Sequence, residues 1–205
     1  MAKLVENSYR DVNIAFANEL SLIAADLGID VWELIRLANH HPRVNILNPG
    51  PGVGGHCIAI DPWFIVDAAP RKAHLIRAAR NVNSEKPAWV AEQAIRVLRE
   101  TGAATLGVFG LTFKANIDDL RESPAIEVVT RLLQEFSEID IMIAEPHIDA
   151  LPAALTKSGR ARLSTFDDVV KSAKALLVLV DHDAFDFRKI QSSDIPIIDT
   201  IGVIR

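Results

Sequence analysis

Past Gly102 the apolar residues of this chain stop recurring at helical spacing and gather into short runs. TLGVFGL (105–111), IDIMIAE (139–145), ALLVLV (175–180) and IPIIDT (195–200) alternate with helical stretches over 125–136 and 166–174. Runs of that length are strands, and strands that alternate with helices predict a parallel sheet covered by helices on both faces. Ligands of such sheets sit at the carboxyl ends of the strands, here the loops after Leu111, Glu145, Val180 and Thr200. Before Gly102 the period is helical throughout. Val5, Val12, Ala15, Phe16, Leu20, Ile23, Ala24 and Leu27 mark a long helix over 3–27, and Gly28 stands at its C-cap position. Asp30 is the expected cap of a second helix, with Glu33 at the capping-box position. Asp61-Pro62 opens a third, the aspartate expected as N-cap. Residues 73–100 read as helix, with Pro87 starting a new segment or kinking the run. The expected organisation is α/β: a helical domain over 1–101 followed by a Rossmann-like parallel-sheet domain over 102–205.

At 205 residues and 49% hydrophobic content the chain can bury a real core. No apolar run approaches the roughly 18 residues of a membrane helix, and the N-terminus turns charged at once. With 22 basic and 27 acidic residues spread without long blocks, the formal charge of -5 excludes a nucleic-acid footprint. A single cysteine, Cys57, cannot form an intramolecular disulfide, which fits the cytoplasm.

That cysteine lies in NPGPGVGGHCIAID (48–61), a stretch whose glycines and prolines suit a backbone bent closely about a ligand. From the residues alone Cys57 is buried filler, a metal ligand beside His56 with His40 and His41, a Cys-His hydrolase nucleophile, or a nucleophile of another kind. Adjacent His-Cys lacks metal-ligand spacing and no second cysteine is present, so no metal site is expected. Lys3 and Asn7 share one helix face, continued by Asp11 and Asn18; the stripe is either solvated or part of a site. In the second half, strand, glycine-bearing turn and helix suggest a dinucleotide site with Glu145 as the ribose acid. The GxGxxG fingerprint is missing, however, and the connection 112–122 is far too long for it. It reads TFKANIDDLRE, whose Lys114 and Arg121 precede the Ser123-Pro124 helix start. They either hold phosphate or pair with Asp118, Asp119 and Glu122.

Three stretches, KLVENSYRDVNIAFANEL, GVGGHCIAIDPWF and GLTFKANIDDLRESP, occur in the order seen in the UDP-sugar 6-dehydrogenase family, and the resemblance runs from Lys3 to the C-terminus. It implies a central helical domain that forms a homodimer and a C-terminal domain that binds UDP. The family's N-terminal NAD-binding domain has no counterpart in this sequence. The implied reaction oxidises the sugar C6 alcohol to a carboxylate in two hydride transfers to NAD. The resemblance makes Cys57 the nucleophile, Lys3 and Asn7 the oxyanion stabilisers, and Asp61 a partner in proton transfer. Gly52, Val53, Gly54 and Gly55 wrap the substrate and Lys114 contacts it. Arg121 reaches NAD, and Arg43 reaches the substrate of the neighbouring subunit. The form GVGGHC followed by DPWF resembles the N-acetylhexosamine branch, which makes UDP-N-acetylmannosamine the first expected substrate.

Overall fold

The computed structural model describes residues 1–204. Its first layer is helical: α1 (Ala2–Leu27), α2 (Val31–Ala38), α3 (Asp61–Ala68) and α4 (His74–Thr101). Helix α1 stops where Gly28 turns left-handed, φ 66°, and its amide returns to the carbonyls of Ala24 and Ala25. Asp30 caps α2 by accepting from the amides of Trp32 and Glu33. Helix α4 runs through Pro87 without the expected break. Proline there removes one donor, but its buried ring packs against the glycine loop, where a Cβ on Gly52 would lie 3.1 Å from its Cγ. Tertiary packing outweighs local propensity.

Beyond the exposed Lys3, the stripe of polar residues on α1 is buried. Asp11 and Asn18 are both 0% exposed. Arg80 of α4 bridges to Asp11 at 2.5 Å, and Asn83 donates to the same carboxylate at 2.8 Å. Asn18 donates to Asn83 and accepts the amide of Gly50, so the polar row ties α1 to α4 and to the base of the cysteine loop. Burial pushes the Asp11 carboxyl up, against the opposing pull of Arg80 and Asn83. The opposite face of α1 is the apolar one in contact with solvent: Val5, Tyr9, Phe16, Ile23 and Leu27 are exposed.

The second layer alternates as expected: β1 (Thr105–Phe109), α5 (Pro124–Glu135), β2 (Asp140–Ala144), α6 (Ala153–Thr156), β3 (Ala161–Ser164), α7 (Phe166–Ser172), β4 (Ala175–Val178) and β5 (Ile197–Asp199). All four strand pairings are parallel, in the order β3-β2-β1-β4-β5. Neither α6 nor β3 was anticipated. ARLS is a short, partly exposed edge strand carrying an arginine, and a half-buried edge shows little apolar periodicity.

Period-two alternation sorts the strand residues. Leu106, Val108, Ile141, Ile143 and Leu177 face α5 and the second half of α4, where Val90, Ala94 and Leu98 are buried. Phe109, Met142, Leu176 and Val178 face the other side, against α7 and a phenylalanine cluster in which Phe109 lies 5.1 Å from Phe166. Helix α4 therefore contributes to two cores, pairing with α1 first and with the sheet beyond Pro87. Among the described residues no helix is long and apolar enough to cross a membrane.

Candidate active site

The strand order reverses between β1 and β4, and at that switch point the β1–α5 connection meets the cysteine loop. The contact is made through missing side chains. A Cβ on Gly54 would lie 2.6 Å from the Glu122 carbonyl oxygen and 2.6 Å from Phe113 Cβ. A Cβ on Gly52 would meet Pro124, and one on Gly55 the Phe113 ring. The Gly55 amide donates to the Arg121 carbonyl at 3.3 Å. These glycines thus let two protein loops touch; the space a Cβ would take is occupied by the other loop. Gly54→Ala is expected to push the loops apart and to cost about 1–3 kcal/mol, the usual toll of overpacking. Urea unfolding, together with an altered alkylation rate at Cys57, checks this; unchanged values for both would refute the packing account.

At the other end of the loop Asp61 is the first residue of α3, and Ile60 occupies the N-cap. The expected capping by Asp61 does not occur. Its carboxylate turns instead to α1, accepting from Asn7 Nδ2 at 2.6 Å and pairing with Lys3 Nζ at 3.1 Å. One turn separates the two donors, so a single carboxylate takes both. The Cys57 carbonyl accepts the amides of Ile60 and Asp61, which fixes the thiol-bearing residue to the same corner. Cys57 itself is exposed.

Electrostatics ties the group together. The bond from Asn7, and then Lys3 and His56, hold Asp61 below the usual carboxylate range despite its desolvation. The Asp61 bond and charge raise Lys3, and the negative form of Cys57 adds to that rise. Arg121 is raised mainly by Asp119 and also senses Cys57. A thiolate at Cys57 therefore has two cations in range, Lys3 from α1 and Arg121 from the β1–α5 loop.

Of the expected site residues, Lys3, Asn7, Cys57, Asp61 and Arg121 come together here. Arg121 is clamped by Asp119, with Nε 3.0 Å and Nη2 2.7 Å from its oxygens, and this pair holds Asp119 down to about 2. The remaining edge of the guanidinium is open to solvent, and it suits a phosphate oxygen. Lys114 is exposed on the same loop and, among the described residues, makes no ion pair. Arg43 is exposed after α2, and among the described residues no hydrogen bond or ion pair joins it to the Cys57 cluster. Among the described residues no group of three or more His, Cys, Asp and Glu side chains could hold a metal ion.

Glu145 is not a ribose acid. Its side chain is fully buried and accepts the amides of Leu111 at 2.7 Å, Thr112 at 3.2 Å and His147 at 3.1 Å. His182 completes the set: its Nδ1 accepts the Asn116 amide, so Nε2 carries the proton and donates to Glu145 at 3.0 Å. Burial opposes ionisation of Glu145, but His182 and the Leu111 amide outweigh it and hold the group below its ordinary range. A carboxylate so enclosed has no reach to a cofactor hydroxyl. The network instead anchors the β1–α5 loop that carries Lys114 and Arg121. Its sequence signal is slight, an acid ending one apolar run and a histidine two residues after another.

Two models of one family match the chain: the central domain of the UDP-glucose/GDP-mannose dehydrogenase family over residues 1–85, and the UDP binding domain of that family over residues 107–205. UDP-N-acetyl-D-mannosamine dehydrogenase of Escherichia coli (strain K12) is 56% identical over 193 residues, which are 90% of this chain and 45% of that protein. NDP-N-acetyl-D-galactosaminuronic acid dehydrogenase of Ralstonia nicotianae is 52% identical over 206 residues, 99% of this chain and 47% of that protein. Among solved structures, the UDP-N-acetyl-mannosamine dehydrogenase from S. aureus superposes with a TM-score of 0.81 at 39% identity, over 100% of this chain and 48% of that one. The chain spans about half the length of the curated relatives it matches.

Proposed function

Because the chain belongs to the UDP-glucose/GDP-mannose dehydrogenase family, we propose that it supplies the nucleophile and the UDP-sugar site of an NAD-dependent UDP-N-acetyl-D-mannosamine 6-dehydrogenase. The observation that carries this reading is the convergence of Lys3, Asn7 and Asp61 on the corner that holds Cys57. NAD, when bound, accepts a hydride in each of two oxidations; on this chain Arg121 would meet its phosphates. The sulfur of Cys57 adds to the C6 aldehyde, and the C–S bond that forms gives a thiohemiacetal whose oxygen bears the developing charge. Lys3 keeps further ammonium hydrogens and Asn7 a second amide hydrogen beyond those on Asp61, and these stabilise that oxygen. After oxidation to the thioester, Asp61 takes a proton from the attacking water. The C–S bond then breaks, and the carboxylate leaves with Cys57 regenerated.

Lys114 is the proposed contact to the UDP phosphates, with Gly52, Val53, Gly54 and Gly55 bordering the sugar. The exposed apolar face of α1 is the proposed homodimer surface, across which Arg43 reaches the neighbouring substrate. A cytoplasmic location fits the free thiol.

Calorimetry of UDP on this chain is expected to give binding without NADH production from the sugar nucleotide. Lys114→Ala should weaken UDP about tenfold, as for loss of one charge-assisted hydrogen bond. Appreciable NADH formation by this chain alone, or UDP affinity indifferent to Lys114, would count against the proposal. A second sugar is favoured by the galactosaminuronic relative, whose match covers 99% of the chain. Comparing kcat/KM for UDP-N-acetylmannosamine, its C2 epimer and UDP-N-acetylgalactosamine in the complete enzyme decides between them. The first is expected to lead.

A further inference from the structure

Where α1, α2 and α4 meet the end of β5, a charged side chain is buried without a counter-ion. Lys86 of α4 is 3% exposed. Its Nζ donates to Ser21 Oγ at 2.6 Å and lies 3.9 Å from the centroid of the Trp89 ring. Among the described residues no carboxylate comes within ion-pair distance of it. Burial alone pushes this amine down to about 7.

Lys86 and Ser21 line a cavity of ≈ 310 Å³. Most of its wall is apolar, contributed by Ala24, Ile29, Trp32, Pro49, Trp89 and Ile198. Two acids lie on the lining, and backbone amides hold both. Asp30 accepts from Trp32 and Glu33, and Asp199 accepts from Ile201, Gly202 and Ile204. Among the described residues the cavity therefore offers one ammonium with no carboxylate at ion-pair distance, two acids engaged by backbone amides instead, and indole on its walls.

We propose that this cavity is a binding site for a small aromatic monocarboxylate, with the carboxylate on the Lys86 ammonium and the ring against the tryptophan-lined wall. One carboxylate suffices because Lys86 is, among the described residues, the one cation on the lining, and the second charge of a phosphate would find no further cation there. The volume holds about ten water-sized groups, the bulk of a one-ring acid. The catalytic cluster is not involved: none of Lys3, Asn7, Cys57 and Asp61 lines this cavity.

Benzoate is the probe, with benzamide as its neutral isostere. Binding is followed by tryptophan fluorescence and calorimetry on this chain. Because the empty-site amine titrates near 7, it is charged at pH 6 and mostly neutral at pH 8.5, so benzoate affinity should fall about 30-fold between them. Asp30 and Asp199 are the acids on the lining. Lys86→Met should abolish benzoate binding, and Lys86→Arg should keep it while removing the pH dependence. Absence of benzoate binding, equal affinity at the two pH values, benzamide binding as tightly as benzoate, or undiminished binding in Lys86→Met each overturns the proposal. Should Lys86→Met not fold, the pH and benzamide arms on the unaltered chain still decide it.

Discussion

Replacing Cys57 by alanine or serine is expected to lower uronic acid formation by about three orders of magnitude or more, with UDP affinity little changed. The complete enzyme is assayed for NADH and for acid, and calorimetry on the variant reports UDP. The effect is large because Cys57 is the only thiol in the chain, and in the proposed cycle its sulfur makes and breaks a bond to C6. Alanine offers no nucleophile. Serine offers a hydroxyl, intrinsically a far weaker nucleophile than sulfur. The side chain is exposed, and the corner is held by the Cys57 carbonyl, which either variant retains. Turnover near the unaltered level in Cys57→Ala would end the covalent mechanism.

Arg80→Ala is expected to destabilise the fold by about 3–5 kcal/mol, the scale for stripping one member from a buried ion pair. Arg80 and Asp11 are 4% and 0% exposed, and Asp11 Oδ2 has no hydrogen-bond partner even with the arginine in place. Without Arg80, Asn83 alone would compensate a buried carboxylate that already sits above its ordinary pKa. A carboxyl raised in the folded state binds its proton more tightly there than in the unfolded chain. The stability tied to it is therefore fully present at low pH and is lost as pH rises toward the folded pKa. The deficit of Arg80→Ala should accordingly be smaller at pH 5 than at pH 7 in urea titrations. A loss under about 1 kcal/mol at both values would show that the pair is not as enclosed as its geometry implies.

Much of the fold was legible. The change of period past Gly102 predicted the parallel sheet, because β1, β2 and β4 are buried on both faces and so read as short continuous apolar runs. Gly28 and Asp30 announced a helix end and a helix start because capping is a local matter of φ and of one carboxylate reaching two amides. Edge strand β3 was missed for the converse reason, having a single neighbour and a half-wetted face. The unbroken passage of α4 through Pro87 was equally hidden, since it depends on a ring packed against a loop some 35 positions earlier in the chain.

Sequence by itself determined which groups are available to a site: one thiol, a lysine and an asparagine one helical turn apart, an aspartate four residues past the thiol, and two cations on a long loop. Their types and short-range spacing are properties of the chain. Tertiary structure decided what they face. Asp61 looks like a helix cap in sequence and is instead the shared acceptor of Lys3 and Asn7, because α3 packs its N-terminus against α1. Asp11 and Asn18 continue the same polar stripe as Asn7, whose spacing leaves open whether it is solvated or part of a site, and they are buried. Helical spacing says that residues share a face and not whether water or another helix covers it. Glu145 stands where a cofactor acid could, a reading the missing GxGxxG already argued against, and it is sealed by amides and His182, partners that lie between 2 and 37 residues away along the chain. Burial and long-range pairing separate a site from a scaffold, and both belong to the folded molecule alone.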